Sequence, residues 1–102
     1  MKYIIPENKL DNIVFKYLDL NLKDLEKIKY SYMDGMTFKR HNINDPVFFL
    51  QNGGTLYIYY ELVDKISEIF NLEESDSQSV IGRWFSDRLQ LDITDTDLII
   101  YD

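Results

Sequence analysis

The 102-residue chain contains no cysteine, which removes disulfides, thiolate catalysis and every metal cluster held by sulfur. A single histidine, His41, leaves no multi-histidine metal site within one chain. Alanine is absent as well. With two prolines and four glycines, the chain has no Pro- or Gly-rich linker and no low-complexity segment. No purely apolar run exceeds a few residues, so no transmembrane helix is expected. Only Tyr3, Ile4 and Ile5 stand between Lys2 and Pro6, which is not the apolar stretch of a signal peptide. A cytoplasmic address is expected.

What is present is ordinary for a globular protein: 45% hydrophobic and 28% charged residues. The length suits one small domain over residues 1–102, with a single modest core. The charge is uneven. Residues 1–51 carry eight Lys and Arg against seven Asp and Glu, residues 52–102 carry three against eleven, and the net charge is −7. An acidic half repels phosphate backbones and steers encounters toward basic partners.

Helical spacing comes first. Leu10, Ile13, Val14, Tyr17 and Leu18 form one apolar stripe behind Pro6 and Glu7, predicting a helix from about Pro6 to Leu20. Four strand-like runs follow. Lys27–Met33 and Met36–Arg40 flank Asp34-Gly35, and Val47–Gln51 and Thr55–Tyr60 flank Asn52-Gly53-Gly54, both hairpin signals. Pro46 suits the first position of a strand. Leu62, Val63, Ile66, Ile69 and Phe70 give a second helix, with Asn71 as a left-handed cap and Leu72 packing back. Ser75 and Gln78 read as a capping box for a third, whose stripe is Val80, Ile81, Trp84, Phe85, Arg88 and Leu89. One or two short strands end the chain. The order α-ββββ-αα-β predicts an α+β domain, an antiparallel sheet of four to five strands with three helices.

The second hairpin carries too many apolar side chains for a sheet wet on one side. With a two-residue loop, Val47, Phe49, Leu56, Ile58 and Tyr60 share one face, and Phe48, Leu50, Thr55, Tyr57 and Tyr59 the other. Both faces then need cover, by helices or by another chain. An aromatic strip of Phe48, Tyr57 and Tyr59, with Tyr30 and Tyr32 of the first hairpin, is the candidate contact surface for a partner or a second copy.

Abundant Ile, Asn, Asp and Tyr, with Lys in excess over Arg, mark an AT-rich coding bias. In size, acidity and bias the chain resembles the small acidic accessory proteins of bacteriophages and similar viruses. That resemblance implies a non-enzymatic protein that binds, and can inhibit, a host protein in the host cytoplasm. The run Ser77-Gln78-Ser79-Val80-Ile81-Gly82-Arg83-Trp84 is similar to the recognition helices of phage-type repressors, so residues 61–89 resemble a helix-turn-helix. This second likeness implies that Gln78, Ser79 and Arg83 read base edges.

Other constellations have plainer readings. Lys23, Lys27, Lys29, Lys39, Arg40 and His41, interleaved with Tyr30 and Tyr32, fit a lysine-protected sheet edge better than single-stranded RNA binding. Asp92, Asp95 and Asp97 lack the glycine and terminal glutamate of a calcium loop, and Asp-Thr-Asp reads as a turn. His41 with Asp45 has no nucleophile beside it. Glu61, Asp64 and Glu68 line one side of the second helix and Glu73 and Glu74 precede the next, an acidic row able to meet a basic partner. The expectation is a protein-interaction module rather than an enzyme, without cofactor or metal, acting through the acidic row or the aromatic strip. Self-association is its simplest form, and nucleic-acid binding through residues 61–89 is the alternative.

Overall fold

The structure, a computed structural model, describes residues 7–28, 35–40 and 46–99. In chain order these form α1 (Glu7–Asn21), β1 (Leu25–Ile28), β2 (Gly35–Arg40), β3 (Pro46–Gln51), β4 (Thr55–Tyr59), α2 (Tyr60–Phe70), α3 (Glu74–Leu89) and β5 (Asp95–Ile99). The α+β order matches the sequence pattern.

The five strands form one sheet in chain order, β1-β2-β3-β4-β5. The first three pairings are antiparallel, but β5 runs parallel to β4, so the sheet is mixed rather than wholly antiparallel. The reason lies in the connection. Tight turns reverse a strand, whereas α2 and α3 carry the chain back before β5 begins, as parallel neighbours require. A register shift between Phe38 and Lys39 marks a β-bulge in β2.

Among the described residues, fourteen buried side chains make one core cluster drawn from all three helices and from one face of the sheet. Val14, Leu18 and Leu22 come from α1 and the turn after it, Val63 and Ile66 from α2, and Val80, Ile81, Trp84 and Phe85 from α3. Phe38, Phe48, Leu50, Leu56 and Ile58 meet them from the sheet. Phe85 packs edge-on against Phe38 and tilted against Phe48, both at 5.0 Å between ring centroids. Trp84 stacks over Phe48 at 6.3 Å.

α1 is tied to α3 by two arginine forks. Arg83 donates from Nε and Nη2 to the two carboxylate oxygens of Asp11 at 2.8 and 2.7 Å. Arg88 grips Asp19 in the same way at 2.8 and 2.9 Å, and the Trp84 indole N–H joins them on Asp19 Oδ1 at 2.9 Å. Such bidentate pairs fix direction as well as distance. Arg88 also stands 5.1 Å from the Phe15 ring centroid. Arg88 is therefore an exposed clamp rather than part of the apolar stripe.

Two further local readings change. α3 begins at Glu74 after an extended Glu73 with no side-chain cap, so the Ser75–Gln78 capping box does not form. Gln78 is turned to β5, where its Oε1 accepts the Thr96 hydroxyl at 3.3 Å. The apolar stripes are also narrower than their spacing suggests, because Ile13 and Ile69 lie about half exposed at 48% and 46%. The end of α2 follows the sequence. Asn71 is left-handed at φ 56°, and the Leu72 N–H donates to the Ser67 carbonyl at 3.0 Å.

Candidate functional site

The loop between β3 and β4 decides which aromatic side chains face outward. Phe48 pairs with Ile58, Phe49 with Tyr57 and Leu50 with Leu56, so Asn52, Gly53 and Gly54 all belong to the loop. Gly54 takes φ 102°, and its N–H closes the turn on the Gln51 carbonyl at 2.9 Å. A loop one residue longer than expected moves one strand's side chains to the opposite face relative to its neighbour. Phe48 consequently leaves the aromatic strip: it is fully buried under α3 and sets no partner surface. Phe49 takes its place beside Tyr57 and Tyr59.

The outer face can be read across the sheet from the register. One row runs Asp97, Tyr57, Phe49 and Thr37, from β5 to β2. Tyr59 and Ile99 are paired in the next row, and Thr55 and Asp95 in the one before. The rings of Phe49 and Tyr57 are tilted at 33° with centroids 6.1 Å apart. Phe49 lies over Gly35, where a β-carbon would come within 2.7 Å of its Cζ. Phe49, Tyr57, Tyr59 and Ile99 are half-buried, and none of them belongs to the helix-covered cluster. Among the described residues, every helix that contributes to the core does so on the other face.

Asp95 and Asp97 form the acidic margin of this face. They stand within β5 rather than in a turn, as the Asp-Thr-Asp run had suggested. Asp95 Oδ1 accepts the hydroxyls of Thr55 at 2.8 Å and Thr94 at 3.3 Å, and Asp97 accepts the Leu98 N–H at 2.8 Å. No group of three or more His, Asp or Glu side chains is placed to hold a metal ion among the described residues. None of the described helices is long and apolar enough to cross a membrane.

The acidic row expected on the helices is exposed throughout: Glu61, Asp64 and Glu68 on α2, Glu73 just before α3 and Glu74 at its start. Its field reaches Tyr60, whose phenol is held above its ordinary pKa by the charge of Asp64 and then of Glu74. A basic side chain placed there would relieve the same crowding.

The side chains expected to read DNA are mostly engaged within the domain. Arg83 is forked onto Asp11 and Gln78 is bonded to Thr96, while Ser79 is exposed. Gly82 on the same helix packs against β5, a β-carbon there falling 2.9 Å from Thr96 Cγ2. Ser77, at the head of the supposed recognition helix, is fully buried and shares a 2.7 Å hydrogen bond with Ser67. α3 is thus the central packing element of the core. Of the basic concentration, Lys39 is paired with Glu26 at 3.1 Å and Lys23 and Lys27 are exposed. Tyr30, Tyr32, Lys29, His41 and Asp45 lie outside the described residues.

Comparison with known protein families, curated proteins and solved structures finds no match to this chain.

Proposed function

We propose that the chain is a non-enzymatic protein-interaction module that docks a basic partner protein on the outer face of its sheet. The observation that carries this reading is the placement of Phe49 and Tyr57, in ring contact on the face away from the helices. Aromatic side chains offer large rigid contact area, and a tyrosine keeps a hydroxyl for water or a partner. Charge selects the partner. Asp97 borders the aromatic row in register, and the half of the chain that builds this margin carries eleven acidic residues against three basic. Long-range steering would therefore favour a protein presenting Lys and Arg around an apolar centre. The acidic row on α2 extends the same preference around the molecule. Size, acidity and composition make the role that of a small accessory protein of phage or viral type, acting on a host protein.

The test compares wild type with two variants, Tyr57→Ser/Tyr59→Ser and Glu61→Lys/Glu68→Lys, as tagged baits in nuclease-treated host lysate at low and high salt. The expected result is one stoichiometric basic protein that salt releases, lost from the tyrosine variant and weakened in the lysine variant. Equal retention by both variants would overturn the reading. A wild-type mass of two chains in solution, reduced to one by the tyrosine substitutions, would assign the face to a second copy instead.

A further inference from the structure

At the end of the sheet near the start of α2 is a cavity of about 290 Å³, between the last turn of α1, the end of β2, the start of β3 and the end of β4. Its walls are largely apolar and aromatic, with Leu22, Val47, Leu62 and Tyr17 among them. Among the described residues, two cations line it, Arg40 from the end of β2 and Lys65 from α2, against one carboxylate, Glu61. In a chain of net charge −7, a concavity with surplus positive charge runs against the general field.

Arg40 supplies the chemical argument. Its Nε is closed off from water and has no hydrogen-bond partner among the described residues, whereas Arg83 and Arg88 are both forked onto aspartates. An unpaired buried donor is costly, and a guanidinium matches a planar carboxylate through two parallel N–H donors. A carboxylate held in the cavity that Arg40 lines would supply such an acceptor.

We infer that this cavity is a binding site for a small monoanionic carboxylate with an apolar or aromatic body, held by Arg40 and approached past Lys65. Charge count sets the valence. Two cations and Glu61 leave one positive charge, which a carboxylate neutralises and a phosphate dianion oversteps. The volume sits at the low end of small-molecule sites, so the ligand is about the size of an amino acid. The cavity borders the proposed partner face, sharing Tyr59 and Glu61 with it, but it needs neither Phe49 nor Tyr57.

The experiment titrates phenylacetate, neutral phenylacetamide and inorganic phosphate into the full chain, followed by amide chemical shifts at low ionic strength. Phenylacetate is expected to shift resonances around Arg40, Leu62 and Lys65, with affinity at least about tenfold above phenylacetamide, a difference of roughly 1.4 kcal/mol. Arg40→Lys should weaken phenylacetate by removing the fork, and Lys65→Gln, on an exposed helix position, should weaken it less without disturbing the fold. Equal binding of acid and amide would overturn the inference, as would phenylacetate binding unchanged in both variants. Phosphate binding tighter than phenylacetate would overturn the assignment of a monoanion.

Discussion

Phe48 and Phe49 are neighbours in the chain and lie on opposite sides of the sheet: Phe48 is fully buried against Trp84 and Phe85, while Phe49 rests on Tyr57. The two rings therefore report different things when removed. Phe48→Ala should destabilise the fold by about 3–5 kcal/mol, the usual cost of emptying a buried phenylalanine site. Phe49→Ala should cost far less in stability and act on partner binding. Urea midpoints for the two variants, set beside retention of the partner, separate the roles; equal destabilisation would place Phe49 in the structural core.

That division also shows where sequence reading stops. Element order was legible because each signal was local: the stripe of α1, the Asn-Gly-Gly loop and the left-handed Asn71 each act over a few residues. The outward face was not, because it depends on whether the loop holds two residues or three, and Asn52-Gly53-Gly54 permits either. Only the cross-strand pairing of Phe49 with Tyr57 decides it. Arg88 illustrates the same limit from the helical side. Spacing put it in an apolar stripe, but its partner, Asp19, is 69 positions away. The cavity at Arg40 draws on five elements, α1, β2, β3, β4 and α2, and leaves no pattern in the sequence.

Acid should loosen the joint between α1 and α3. The Asp19 carboxyl titrates below its ordinary value, first because Arg88 hydrogen-bonds it and second because Trp84 does. A folded-state pKa lower than the unfolded one gives stability that is complete above the unfolded carboxyl range, and is lost as pH falls through the folded value. The Asp19 side chain is 43% exposed, so solvent screening keeps the contribution to about 1 kcal/mol or less. Asp19→Asn should be less stable than wild type at neutral pH, and the gap should close below about pH 4, near the unfolded carboxyl value. A gap that stays constant from neutral to acid pH would show that the charge on Asp19 does not contribute.

Gly82 and Thr96 should be energetically coupled. Alanine favours a helix interior over glycine by about 1 kcal/mol, but at Gly82 its methyl would sit 2.9 Å from Thr96 Cγ2 and 3.2 Å from Ile93 Cδ1. The threonine is fixed in β5 and cannot swing aside freely, so Gly82→Ala alone should destabilise. Thr96→Ser removes the obstructing methyl while keeping the hydroxyl for Gln78. In a double-mutant cycle the two changes together should cost less than their sum, by an amount on the order of 0.5–3 kcal/mol. Additive effects would mean that α3 and β5 can separate at this contact with little cost.

The loop that sets the sheet's faces offers the sharpest contrast between adjacent glycines. Gly53 has nothing within 4 Å of where a β-carbon would stand, and Gly53→Ala should be nearly neutral. Gly54 combines φ 102° with a β-carbon position 3.0 Å from both Thr94 Cγ2 and Thr94 Oγ1. Its carbonyl also accepts the Thr94 N–H at 2.8 Å, so the loop anchors the start of β5. Gly54→Ala should therefore destabilise by about 1 kcal/mol or more, from a conformation that L-residues rarely adopt. Deleting Gly53 should do more harm than either substitution. A two-residue loop would shift β4 against β3 by one position, bringing Tyr57 toward the core or Phe48 out of it. Amide exchange across β3 and β4 is the readout. Protection retained at Phe48 and Ile58 after the deletion would show that the three-residue loop does not hold the register.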